Sequence, residues 1–232
     1  MEALRMSLDQ AAFAECLFFT DAIVADKDDR IRVVQIEPLR SAKDYSSFIL
    51  SSLVEHVRTA HCLVVQWDGF VLDAERWEPG FLDYDYIGAP WPQFDDGFDV
   101  GNGGFSLRSR KLLTAWRDES LRSGHPEDVL ICRNNRRFLE HDCGIRFADH
   151  SVAQRFSVER TGLGQPSFGF HGIFNMIPLL GADRFWRTYR TLDDPSTAFV
   201  DYGPLMRQLG SGTHALKRQG RLTLDYLKSL FG

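Results

Sequence analysis

The sequence predicts an α/β fold with a layered, mixed central sheet. Two observations carry that expectation. Apolar runs of strand length, CLFFT (16–20), IRVVQI (31–36) and CLVVQ (62–66), are rich in Val, Ile and Phe and end at polar residues, as buried strands do. The segments around them carry apolar residues at helical spacing. The resulting order of helix, strand, strand, helix, strand is the wiring of layered α/β domains.

MEALRMSLDQ sets Leu4, Leu8, Ala11 and Ala12 at helical spacing, an amphipathic helix and not a signal peptide. In SAKDYSSFILSSLVEHV (41–57), Ile49, Leu53 and Val57 fall at i, i+4 and i+8, and Ser41 can cap the helix. DYDYIGAPW (83–91) reads as a short strand and a Pro-containing loop. An acidic, glycine-rich loop follows, FDDGFDVGNGG (94–104). FSLRS is then a strand whose Ser109 caps the helix RKLLTAW. Pro126 suits the first position of a helix PEDVLICRNNRRFL. GIRFA and SFGFHG (167–172) read as further strands, the second with a glycine turn. From Ala182 onward the pattern is helical, with a break at Pro195. The expectation is one domain over 1–192, with the strands near 16–20, 31–36 and 62–66 adjacent in its core, and a helical extension over 193–232.

With 27 basic against 32 acidic residues, the net charge of −5 argues against nonspecific nucleic-acid binding. Cys16, Cys62, Cys132 and Cys143 form no C-x-x-C pair. They read as reduced residues of a cytoplasmic protein, not as a disulfide framework or zinc site. No stretch is long and apolar enough to span a bilayer.

Four places can carry chemistry. Asp68 follows a buried strand, and the carboxyl ends of strands are where open α/β sheets bind ligands. A carboxylate there can hold a hard divalent cation, or can simply cap its own turn. In VGNGGFSLRS (100–109), Gly101, Asn102, Gly103, Gly104 and Phe105 form a stretch whose backbone can approach a ligand closely, or a plain hairpin loop. It is neither a Walker loop nor a dinucleotide fingerprint, because no G-K-[ST] follows and it enters a strand. In HPEDV, Glu127 and Asp128 lie in the first turn of a helix, where the dipole favours carboxylates, and from which a general base can be aimed. His171, in FGFHG, suits a metal ligand or a core histidine.

Together, SAKDYSSF, VVQWDGFVLD, FLDYDYIGAPWP, VGNGGFSLRSRKLL, PEDVLICR and FGFHG resemble the nucleotide-sugar glycosyltransferases of the GT-A fold. They are most similar to a bacterial family of glycosyltransferase-like proteins of uncharacterised function, over about residues 4–192. The resemblance implies a GT-A-like domain that moves a sugar from a nucleotide-diphosphate donor to an acceptor hydroxyl, with inversion. Carbohydrate or glycolipid acceptors of bacterial polysaccharide or glycoconjugate synthesis are the implied partners. Gln66, Trp67 and Asp68 occupy the place of that fold's D-x-D motif, with Gln66 at its first acidic position. The glycine segment resembles the border between donor and acceptor. Asp128, with Glu127 beside it, resembles the catalytic base, and His171 resembles the late histidine that completes a site for Mn²⁺ or Mg²⁺ with Asp68. The chain begins at the first helix of the pattern, without its opening strand.

Two other readings stay open. A non-catalytic carbohydrate or nucleotide-sugar-binding module on the same fold would account for Gln66 and the absent strand. A glycoside hydrolase would need two carboxylates at one of two set separations. The tail HALKRQGRLTLDYLKSLF (214–231) mixes basic and apolar residues. It suits peripheral membrane contact, or docking through Tyr226, Leu227 and Leu230 on its own domain or on a second subunit, the arrangement expected here.

Overall fold

Several local signals act as the sequence predicts. The Ser41 side chain accepts from the Asp44 N–H and opens the helix Ala42–Ser47, which continues through a wider turn, Phe48–Ser52, to Leu53–His56. Ser109 likewise accepts from the Leu112 N–H at the start of Arg110–Ala115. Pro126 stands one position earlier than expected: it is the extended residue before the helix Glu127–Val129, where its missing N–H costs nothing.

The computed structural model describes every residue except 27, 119, 193 and 232. The chain is mixed α/β with small sheets and a helical C-terminal tail, and it divides into two compact units, residues 1–171 and 172–232. The strands are β1 (Leu17–Thr20), β2 (Arg32–Gln35), β3 (His61–Val65), β4 (Phe70–Val71), β5 (Tyr86–Ile87), β6 (Phe105–Ser109), β7 (Ser157–Val158) and β8 (Gly169–Phe170).

Their ladders differ from the single central sheet expected from sequence. Among the described residues β1 and β2 form a parallel pair. A second sheet has the order β3-β6-β5, antiparallel throughout, and a third the order β4-β8-β7, with β4 antiparallel and β7 parallel to β8. GIRFA contributes only an isolated parallel bridge, Phe147 to Tyr86, made by Tyr86 N–H donating to Arg146 O and Ala148 N–H to Tyr86 O, while the Arg146 N–H goes to the Asp85 side chain.

β1 and β3 therefore each keep one unpaired edge, and this separates strands that the sequence placed side by side. Arg32 and Ile36 donate to the Cys16 and Thr20 carbonyls, so the alternate residues Leu17 and Phe19 turn their peptide groups away from β2. Gln66 donates to Gly104 O and Arg110 to Ala60 O, so Leu63 and Val65 turn theirs away from β6. A groove of about 410 Å³ meets every residue from Leu17 to Phe19 and from Cys62 to Val65. Neighbouring side chains point to opposite faces of a strand, so a groove touching all of them is bordered by the strand edges.

Two apolar clusters hold the site in place. Phe105, Phe156 and Phe168 pack with Phe81, Val71 and Ile87 on one side of β6. Tyr86, Leu112, Leu130 and Leu139 fill the other. β6 is buried at all five residues, so the loop that enters it is anchored from both faces.

Candidate functional site

The glycine segment is the hub. Asn102 has φ 63°, and it alone among the described non-glycine residues is in the left-handed region, which Asn tolerates better than most. Its Oδ1 accepts from the Gly104 N–H at 3.0 Å, and its amide nitrogen lies 3.0 Å from His171 Nδ1. The glycines are required by their neighbours. A Cβ on Gly101 would overlap the Trp91 ring, on Gly103 the Glu127 carboxylate, and on Gly104 the His171 imidazole. Gly101 donates to Ala89 O, Gly103 to Asp128 and Gly104 to Asn102, so these amides are spent inside the protein and not held out to a ligand.

On the Gly104 side lies the pair predicted to hold a metal. Asp68 Oδ1 is 3.1 Å from His171 Nε2, and Glu159 Oε1 is 3.4 Å from Nδ1. Residues far apart in sequence meet because Gly69, after Asp68, leads into β4, which pairs with β8, the strand that ends one residue before His171. Burial disfavours the imidazolium, but Asp68 and then Glu159 outweigh it and raise the His171 pKa to about 10. Burial also pushes the Glu159 carboxyl up, yet the His171 contact outweighs it and leaves that pKa lowered. Among the described residues no group of three or more His, Cys, Asp or Glu side chains is disposed to hold a metal ion.

On the Gly103 side lie the two predicted bases, and they differ. Glu127 is buried and paired at 3.1 Å with Arg108 Nη2, itself fully buried. Arg108 also donates to Ser106 Oγ and Gly103 O, and its guanidinium lies over the Tyr86 ring. Asp128 has no such cation. Its Oδ2 accepts from the Gly103 N–H at 3.2 Å and its Oδ1 from the Val129 N–H at 2.8 Å. Burial, then the Glu127 charge, push its carboxyl above the ordinary range, the two amides and the Arg108 charge offsetting part of this. Gly103 and Gly104 are consecutive, with Cα atoms about 3.8 Å apart, so the two acidic centres flank one peptide unit.

Other predicted residues fall elsewhere. Phe105 is fully buried with its ring among Phe156 and Phe168, so its side chain is core and not a ligand contact. Gln66 and Trp67 line the apolar groove, whose walls include neither Asp68 nor His171. Asp99, in the acidic glycine-rich loop, pairs with His150 at 2.5 Å. Sequence reasoning missed Arg108 and Glu159. A charged residue inside the run FSLRS, and an acid directly after Ser157–Val158, were the available signals.

A family model described as "Protein of unknown function (DUF5672)" matches residues 29–171. No curated protein and no solved structure matches the chain.

Proposed function

We infer, from a chain that belongs to this DUF5672 family of unknown function, that it is a glycosyltransferase using a nucleotide-diphosphate sugar and an acceptor hydroxyl, with inversion. One observation carries the reading: a carboxylate–imidazole pair, and a carboxylate of raised pKa held by main-chain amides, stand on either side of Gly103–Gly104.

Asp128 is the base. Its raised pKa strengthens its basicity, and Glu127, held by Arg108, is the weaker choice. Asp68 and His171 suit a divalent cation, Mn²⁺ or Mg²⁺. Their 3.1 Å separation is close to that of two neighbouring ligands each about 2.0–2.2 Å from one ion. Glu159 behind Nδ1 would orient the ring, as a carboxylate behind a ligating histidine does. Such an ion would neutralise charge on the departing diphosphate. His171 must first release its Nε2 proton and keep its Nδ1–H toward Glu159.

A second reading is favoured by the same cluster. His171 clamped between two carboxylates already acts as an internal cation, which suits a non-catalytic nucleotide-sugar-binding module. Calorimetric titration with nucleotide sugars, with and without Mn²⁺, followed by a hydrolysis and transfer assay, separates the two. Metal-dependent donor binding with turnover is expected. Binding without turnover selects the module, and no binding overturns both.

A further inference from the structure

The second unit carries a surface that the proposed chemistry does not use. Its last helix, Ala215–Phe231, has two unlike faces. One packs within the unit: Leu222 is buried, Tyr226 stacks on Tyr202 with ring centroids 4.6 Å apart, and Arg218, also buried, pairs with Asp183. The other is apolar yet open. Leu216 is 86% exposed, Leu224 57%, Leu227 43% and Phe231 87%. At about 100° per residue these four fall within an arc of roughly 80°. Of the three residues expected to dock, Tyr226 packs on Phe199 and Tyr202 within the same unit, while Leu227 and Leu230 face outward.

Charge says what covers this face. Lys217, Arg221 and Lys228 follow one another along a single flank of the apolar arc, and all three are exposed. The helix has one acidic residue, Asp225, which lies beyond that flank and is tied to Arg221 and Tyr189. The asymmetry extends to the whole unit. Residues 172–232 carry 8 Lys and Arg against 5 Asp, a net of +3, whereas residues 1–171 carry 19 against 27, a net of −8. An open apolar stripe with a cationic border, on the cationic part of an otherwise acidic chain, matches an anionic lipid surface.

We propose that the helix Ala215–Phe231 docks the protein on anionic membranes. It lies in the plane of the interface, with Leu216, Leu224, Leu227 and Phe231 among the acyl chains and Lys217, Arg221 and Lys228 at the headgroups. This holds whether or not the first unit transfers sugar.

The test is flotation of the full chain with vesicles of phosphatidylcholine alone, and with roughly one third phosphatidylglycerol. The chain should float with the anionic vesicles only, and salt near 1 M should release it. The pair Leu224→Asp and Leu227→Asp replaces exposed side chains. It should abolish flotation with an unchanged circular dichroism spectrum. Lys217→Glu with Lys228→Glu should lower binding by at least about tenfold. Equal flotation with neutral vesicles, no flotation with either kind, or flotation that survives the leucine pair overturns the proposal. A dimer in sedimentation that the leucine pair dissociates, without any flotation, gives the face to a second copy and overturns it too.

Discussion

Replacing Arg108 with Met tests the electrostatic division of the site. Arg108 is fully buried and the Glu127 side chain nearly so, 3.1 Å away. Methionine fills much of the same volume but leaves the Glu127 carboxylate in apolar surroundings without a cation. It also removes donors to Ser106 Oγ and Gly103 O. Breaking one side of a buried pair costs about 3–5 kcal/mol. In a unit of 171 residues, that corresponds to a fall in melting temperature of roughly 6–20 °C. Adding Glu127→Gln removes the orphaned charge, so the double variant should recover much of the loss. Urea unfolding of the parent, both single variants and the double variant closes the cycle, and a coupling of about 2 kcal/mol or more is expected. Additive costs, or a loss under about 1 kcal/mol for Arg108→Met, would refute the assignment of Glu127 as the arginine's structural partner. Glu127 would then return as a rival base.

Three further outcomes are expected. Asp128→Asn should keep donor binding in calorimetry and lose about 10²–10⁴-fold in transfer rate, and a variant as fast as the parent would move the base elsewhere. The His171 pKa rises from 6.5 to about 10 on folding, so its stabilisation is complete below pH 6.5 and is lost as pH climbs toward 10. The unfolding free energy from urea titrations should fall across that window, by at most about 1.4 kcal/mol per pH unit, and His171→Gln should flatten the slope; a flat parent profile refutes the ion pair. In hydrogen exchange the Leu63 and Val65 amides, on the open edge of β3, should exchange faster than that of Val64, which faces β6. Equal protection would mean that this edge is paired.

The sequence made the elements legible where the cause is local. Ser41 and Ser109 cap their helices through hydrogen bonds spanning three residues, and such signals need no tertiary knowledge. Asp68 and His171 were also legible, through the resemblance to sugar transferases, and the structure brings them together. Sheet composition was not legible. Whether β1 pairs with β3 or leaves a groove beside it depends on contacts that no window of residues contains. Arg108 was hidden for a related reason. In a strand pattern its polar side chain reads as solvent-facing, and the counter-charge that makes its burial tolerable, Glu127, lies 19 residues on. The glycines were noticed for a different reason than the one observed. The sequence suggested room for a ligand, whereas the space is filled by Trp91, Glu127 and His171.

The formal charges around Gly103–Gly104 explain why one carboxylate is singled out. Asp68, Glu159, Glu127 and Asp128 supply four negative charges, and His171 and Arg108 supply two positive ones. Arg108 is paired with Glu127, and His171 with Asp68 and Glu159, so Asp128 bonds to main-chain amides and feels the Arg108 charge only as a partial offset. Burial and the Glu127 charge, only partly offset, leave the Asp128 carboxyl above its ordinary range, whereas the His171 contact lowers that of Glu159. Under the proposed function, the surplus of two negative charges would favour cation entry on the Gly104 side, where a divalent ion would replace one proton. Neutralising Asp128 removes half of that surplus without touching Asp68 or His171. If the two halves of the site act on one substrate, Asp128→Asn should therefore weaken Mn²⁺ binding modestly, by less than about tenfold through screened charge, while transfer falls far more. Equal loss in both would show that Asp128 is itself a metal ligand and not the base.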